Sequence, residues 1–376
     1  MHSEANEKRR EPLRVMCITS QAASITNVRP EAAWFIGLQK AGIDMTVMTE
    51  PDSQWAEEMR SVGIDVVGLN IRRKFDWAAV KRIRATLKAG GHQVMHMFNN
   101  KAIVSGIAAS VGLPVKVVTY RGQTGNIKRH DPTCYLTHLN PRVAKITCVA
   151  EAVRKDLIAN GVSPDKVVTI YKGHDLAWYD GVEPEDLRPL GVPDDAFTIA
   201  CVANNRPRKG VPVLIESARF LPPDTKLHFL LVGGGMTSDE IRRLIDASPL
   251  PDHFHPIGYR DEVLPLVAAC DGGVLPATKR EGLPKTVIEA MALGLPVVVT
   301  RTGGSPELIT DGECGYVVEP NDPRGLAEAL QRLAGDPSKA RAMGAAARAR
   351  LTEHFDVDQG VKAHVCLYAE LADEAA

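Results

Sequence analysis

Short apolar runs alternate with longer amphipathic stretches from Arg14 to Lys172. The runs fall at 15–19, 45–49, 66–69, 94–98, 115–120, 146–150 and 167–171, with helix-like segments such as 31–41 and 152–160 between them. Spacing of this kind predicts repeated βα units on a parallel sheet. Residues 175–196 change character, becoming rich in Asp, Glu and Pro, and read as a linker. A second series of runs follows at 198–202, 229–232, 254–257, 273–275, 297–300 and 316–318. Beyond Asn321-Asp-Pro323 the pattern is helical, over 324–334, 337–354 and 359–371. The pattern therefore predicts an α/β protein of two doubly wound, Rossmann-like domains. Its expected divisions are a disordered tail (1–13), a first domain (14–176), a linker (177–196) and a second domain (197–355). A C-terminal helix (356–376) is expected to pack back on the first domain. Two such sheets leave a cleft facing the carboxyl ends of their strands, where ligands of open α/β sheets bind.

The stretch 281–300 concentrates the candidate chemistry: a turn, a helix and a strand, with Glu281 and Glu289 eight residues apart. Pro284 suits the first helical position, and Gly294 and Pro296 end the helix. At 100° per residue, Val287, Ala290, Met291 and Gly294 share one face, and Glu289 points away from it. The helix is thus expected to pack on a sheet and hold Glu289 outward, with Glu281 in the turn before it.

Composition narrows the classes. The 376 residues carry a net charge of −1, with 24% charged and 44% hydrophobic residues, as in ordinary globular α/β proteins. Nothing in that balance points to nucleic acid. The seven cysteines are scattered without a Cys-x-x-Cys pair, which fits a reducing compartment and neither a disulfide framework nor a metal site. The longest uncharged apolar stretch, 102–115, is too short to span a bilayer. The N-terminus lacks the apolar core of a signal peptide, so cytoplasmic residence is the expectation. No Gly-x-Gly-x-x-Gly follows the first run, which disfavours a nicotinamide site there. Asp356-Val-Asp358 lies far in sequence from the cleft segments and is a poor candidate for metal. One local excess of charge stands out. Residues 72–88 hold seven basic side chains and one acid, with Val80, Ile83 and Leu87 at helical spacing. This is either a solvated outer helix or a basic amphipathic surface for anionic lipid at the inner face of the membrane.

The second half closely resembles the retaining glycosyltransferases of family 4, which have the GT-B architecture. The resemblance rests on an ordered set of motifs: 202–218, Leu230-Leu-Val-Gly-Gly-Gly235, Ile257-Gly-Tyr-Arg-Asp261, Asp271-Gly-Gly-Val-Leu-Pro276, the acid–seven residues–acid stretch at 281–289, Thr302-Gly-Gly-Ser-Pro-Glu307, Asp311-Gly-Glu-Cys-Gly315 and Asn321-Asp-Pro323. Weaker matches are Val149 to Leu157 and Gly173-His-Asp175. It covers 142–356 well and the preceding residues in outline.

The resemblance implies a retaining, metal-independent transfer of a hexose-type sugar from a nucleotide-sugar to an acceptor hydroxyl, without a cofactor. The expected setting is polysaccharide, lipopolysaccharide or glycolipid synthesis. It implies that Glu289 grips the ribose hydroxyls, although alone Glu289 reads as a solvent-facing helix acid. Glu281 would lie beside the sugar, with Gly282, Leu283, Pro284, Lys285 and Thr286 running along sugar and phosphates. Gly234, Tyr259 and Arg260 would flank the nucleotide. Lys209 would neutralise the leaving diphosphate. Asn204 stands where the family usually has an arginine, so Arg206 is the expected replacement and Arg208 an ordinary surface residue. On the acceptor side Arg121 replaces the usual histidine, facing an acceptor phosphate or carboxylate or the donor diphosphate, and His96 is a second candidate for that cleft. A GT-B epimerase and a catalytically inactive sugar-nucleotide-binding protein are the alternatives.

Overall fold

The computed structural model describes residues 12–20, 25–52 and 54–374. Most of the tail expected at 1–13 lies outside them. Every apolar run forms a strand. The first half holds β1 (Arg14–Ile18), β2 (Asp44–Thr49), β3 (Asp65–Gly68), β4 (Val94–Met97), β5 (Lys116–Arg121), β6 (Val143–Cys148) and β7 (Val167–Thr169). The second holds β8 (Phe197–Val202), β9 (Leu227–Val232), β10 (Phe254–Gly258), β11 (Gly272–Leu275), β12 (Val297–Thr300) and β13 (Gly315–Val318).

The sheet orders are β3-β2-β1-β4-β5-β6-β7 and β10-β9-β8-β11-β12-β13. All pairings within them are parallel. Helices cover both faces, so a central strand such as β9 buries all its residues and reads as a continuous apolar run. Strand order reverses beside β1 and beside β8, which opens a crevice at the carboxyl end of each sheet.

The last helix, Val357–Asp373, packs on the first, Ile25–Lys40. Its entry is fixed by His174, whose N–H donates to the Phe355 carbonyl at 2.9 Å. Asp356 accepts from the Asp358 N–H at 2.7 Å and caps this helix, which gives the Asp-Val-Asp sequence a structural use. The basic segment forms the helix Trp77–Gly90, with Ala79, Val80, Ile83 and Leu87 buried in the core.

Candidate functional site

A cleft of about 270 Å³ opens at the carboxyl end of the second sheet. Its walls come from residues following β8 (Ala203, Asn204, Lys209), β9 (Gly233) and β10 (Tyr259, Arg260, Asp261), and from the start of the helix Lys285–Ala292. Pro284 has an extended backbone (φ −72°, ψ 116°) and is the residue before the helix, one place earlier than the sequence suggests. Lys285 and Thr286 therefore open it, with backbone N–H groups at a helix start that favours anions.

Glu289 is correctly placed away from the sheet-packed face, yet it is not in solvent. It is 4% exposed, and Lys285 Nζ lies 2.6 Å from its carboxylate. Burial raises its pKa above the ordinary glutamate value, and the Lys285 charge opposes that rise. Behind this pair, the His174 ring and the Tyr179 hydroxyl meet at 2.5 Å, and the Leu176–Tyr179 turn packs on the helix. Neither residue stood out from its own chemistry; the Gly173-His-Asp175 match was the one signal.

Glu281, also 4% exposed, lies just behind the lining. Lys209 Nζ approaches its carboxylate to 2.9 Å and Arg208 Nη1 to 3.1 Å. The arginine that joins Lys209 is thus Arg208, whereas Arg206 is exposed and outside the cleft lining. The cause is local: residues 207–209 form one 3-10 turn, which swings Arg208 and Lys209 toward Glu281 and leaves Arg206 as the extended residue before it. Gly210 closes that turn at φ +71°, and a Cβ there would overlap the Pro276 carbonyl.

Asn204 has its own task, accepting the Gly234 N–H at 3.0 Å. Gly233 rather than Gly234 consequently lines the cleft. Tyr259 stands at the lip, 64% exposed, and Arg260 pairs with Glu185 of the linker at 3.2 Å.

Gly282 and Leu283 turn out to belong to the seam between the halves. A Cβ on Gly282 would overlap the Gly122 carbonyl, and Leu283 packs against cores of both domains. Glu307 crosses the same seam: its carboxylate accepts the N–H groups of Glu151 and Ala152 at 2.8 and 2.7 Å. It thereby caps the first-half helix Glu151–Ala159, whose own N-cap, Ala150, has no side chain able to do so.

The acceptor-side expectations need correction. His96 is fully buried, with Nδ1 2.7 Å from the Tyr368 hydroxyl and Nε2 3.0 Å from Thr147 Oγ1. Burial holds its pKa well below the ordinary imidazole range, so it is a neutral packing residue joining β4 to the last helix. Arg121 shares the buried face of β5 with Thr119 and Val117, as the two-residue strand period requires. Its guanidinium donates to the Gly125 carbonyl inside the following loop, near the Asp156 charge. Burial lowers its pKa, Asp156 opposes this, and Nε has no hydrogen-bond partner. What the sequence reading missed is a cavity of about 260 Å³ at the ends of β1 to β4, lined by Thr19, Ser20, Glu50, Asn99, Asn100 and Lys101 among others. Strand-end position was the available signal.

Among the described residues no group of three or more His, Cys, Asp or Glu is arranged to hold a metal. No described helix is long and apolar enough to cross a membrane.

The family profile "Glycosyltransferase Family 4" matches residues 36–178, and "Glycosyl transferases group 1" matches residues 182–350. The chain belongs to glycosyltransferase family 4. Among curated family 4 relatives, a GDP-mannose-dependent monoacylated alpha-(1-6)-phosphatidylinositol monomannoside mannosyltransferase of Corynebacterium glutamicum is 36% identical over 193 residues. That match covers 48% of this chain and 50% of the relative, so it spans half the relative's length. An N-acetyl-alpha-D-glucosaminyl L-malate synthase of Bacillus anthracis is 28% identical over 267 residues, 69% of each chain. HepE of Anabaena, solved in complex with UDP, superposes with a TM-score of 0.76 at 20% identity, covering 95% of this chain and 100% of that one. That likeness establishes the shared GT-B fold.

Proposed function

We propose that this family 4 protein is a retaining, metal-independent glycosyltransferase that moves a hexose-type sugar from a nucleotide-sugar to an acceptor hydroxyl. One observation carries the reading: the start of the helix Lys285–Ala292 opens on the cleft beside two buried carboxylates, Glu289 paired with Lys285 in the lining and Glu281 paired with Lys209 and Arg208 just behind it. Lys285 stands at the positive end of the helix dipole, a locally unfavourable place for a cation. An anion there turns that cost into attraction. A diphosphate at the helix start would meet Lys285, Lys209 and the Lys285 and Thr286 N–H groups, with Arg208 adjacent.

Glu289 would accept hydrogen bonds from the ribose hydroxyls, and Tyr259 would cover the base at the lip. Glu281 would hold Lys209 toward the phosphates and face the transferred sugar. As the glycosidic bond breaks, negative charge grows on the departing diphosphate. Lys209 and Arg208 then bind it more strongly than in the ground state, which lowers the barrier. The departing phosphate would take the acceptor proton on the same face, giving retention. These cations would make a divalent metal dispensable.

Relatives named for a phosphatidylinositol monomannoside and for a glucosaminyl L-malate support a setting in glycolipid or related glycoside synthesis, and in this reading the polar cavity of the first half would take the acceptor. The test is a panel of UDP-, GDP-, ADP- and TDP-sugars, with and without EDTA. A nucleotide-sugar at about 100 times its Kd should stabilise the protein by about 2.7 kcal/mol in thermal unfolding. Turnover should continue in EDTA and give a product, read by NMR, with the donor's anomeric configuration. No thermal shift with any donor would remove the donor-site assignment; an inverted product would remove the mechanism.

A further inference from the structure

Several large apolar side chains remain exposed among the described residues, and five of them gather on the first half: Phe75, Trp77, Val111, Tyr135 and Leu136. Trp77 is 67% exposed and packs edge-on against Phe75, with ring centroids 5.0 Å apart. The segments carrying these side chains are neighbours. Arg84, on the helix Trp77–Gly90, donates to the carbonyls of Ala109 and Val111 at 2.7 Å each. The helix that ends there, Asn100–Ser110, packs on the turn Pro132–Leu136. Asp131, which caps that turn, lies within electrostatic reach of Lys74.

Cations surround this patch. Arg72, Arg73 and Lys74 are exposed immediately before Phe75. At 100° per residue, Trp77, Lys81, Arg84 and Lys88 form one strip on the flank of the helix. The one acid of the segment, Asp76, is engaged by the Ala78 and Ala79 N–H groups as the helix cap. Seven basic residues between 72 and 88 thus stand on a molecule whose net charge is −1. The charge is concentrated here rather than spread.

We infer that this face, formed by residues 72–77, the Trp77–Lys88 flank and the Pro132–Leu136 turn, docks on an anionic lipid bilayer. The apolar stripe of the helix is already spent in the core, so the helix does not lie in the lipid on that stripe. Contact runs instead through the Phe75–Trp77 tip, with Arg72, Arg73 and Lys74 at headgroup level. The mixture favours lipid over a protein partner. Protein interfaces deplete lysine and charge at their centre, whereas bilayer interfaces accept Trp and Phe interleaved with Lys and Arg. Lys101, which donates to the Arg72 carbonyl at 3.3 Å, also lines the polar cavity of the first half. Docking would therefore set that cavity beside the lipid surface. The inference stands independently of the transfer reaction, since it concerns a surface outside the second-half cleft.

The experiment is co-sedimentation of the full chain with phosphatidylcholine vesicles and with phosphatidylcholine–phosphatidylglycerol vesicles, at low and high salt. The protein should sediment with the anionic vesicles alone and be released by salt. Replacing Arg72, Arg73 and Lys74 by Gln should weaken binding about a hundredfold, from the known contribution per cation at an anionic surface. Trp77→Ser should weaken it independently and abolish any blue shift of tryptophan emission on vesicles, while Lys339→Gln, on an exposed position of the second half, should change nothing. Failure to sediment with anionic vesicles, or equal binding by the triple variant, overturns the inference. A concentration-dependent dimer abolished by Trp77→Ser, without vesicle binding, would assign the face to a second copy of the chain.

Discussion

Lys209 and Arg208 both reach Glu281, but they stand differently toward the cleft. Lys209 lines it, and Arg208 approaches the same carboxylate from outside the lining. Lys209→Ala is therefore expected to cut kcat by about 10²–10³, the scale of losing one preorganised charge stabiliser. Donor affinity should fall far less, because the lysine acts on charge that develops in the transition state. Steady-state kinetics alongside calorimetric donor binding separates the two, and an unchanged kcat would remove Lys209 from the chemistry. Arg206→Ala should leave kcat within about twofold, as for an exposed surface substitution, while Arg208→Ala should lower it measurably. The sequence placed Lys209 by motif. It could not choose between two arginines two residues apart, since that choice depends on which way a 3-10 turn faces.

The helix Glu151–Ala159 shows what an element demands of its surroundings. The Ala150 carbonyl accepts the Val153 N–H at 3.1 Å, but the first two N–H groups, of Glu151 and Ala152, need other acceptors, and the Ala150 side chain offers none. Glu307 supplies both from the other half of the molecule. Glu307→Ala should then cost about 1–2 kcal/mol, read as a lower urea midpoint with unchanged secondary structure. A midpoint equal to that of the parent protein would mean that water replaces the cap at no cost. Helices and strands themselves were legible from hydrophobic period. The seam was not, because Gly282, Leu283 and Glu307 serve it through contacts with residues more than a hundred positions away. In sequence, all three looked like parts of a ligand loop or a family motif.

Across the whole molecule, burial has fixed several histidines in the neutral form. Desolvation lowers His138 and His174 to about 3 and His364 to about 4, and holds His96 well below the usual range. In the unfolded chain each would titrate near 6.5. Between that value and the folded values the unfolded state binds more protons, so stability falls as pH falls. Each such histidine contributes a slope of about 1.4 kcal/mol per pH unit in that window. The melting temperature should accordingly drop steadily from pH 7 to pH 5, and replacing His96 by Gln should flatten that drop. A melting temperature constant over this range would contradict the neutral assignment. His364 lies on the helix Val357–Asp373, facing Trp34, and His96 packs against that helix from β4, so acid should loosen the attachment of the C-terminal helix to the first domain.

By itself the sequence determined the strands, the two-sheet organisation and the ordered motifs of the second half. Those features are local: they follow from two-residue and 3.6-residue periods and from turn chemistry within a few positions. Tertiary structure decided which motif residues face the cleft. Glu289 is an outward residue of its own helix and a buried one of the molecule, because the Leu176–Tyr179 turn packs on that helix and Lys285 covers its carboxylate. Arg121 and His96 look like site residues at strand ends, yet a loop folding back and a helix returning from the far end of the chain cover them. Exposure is a property of what else packs nearby, and a chain read in order does not contain it.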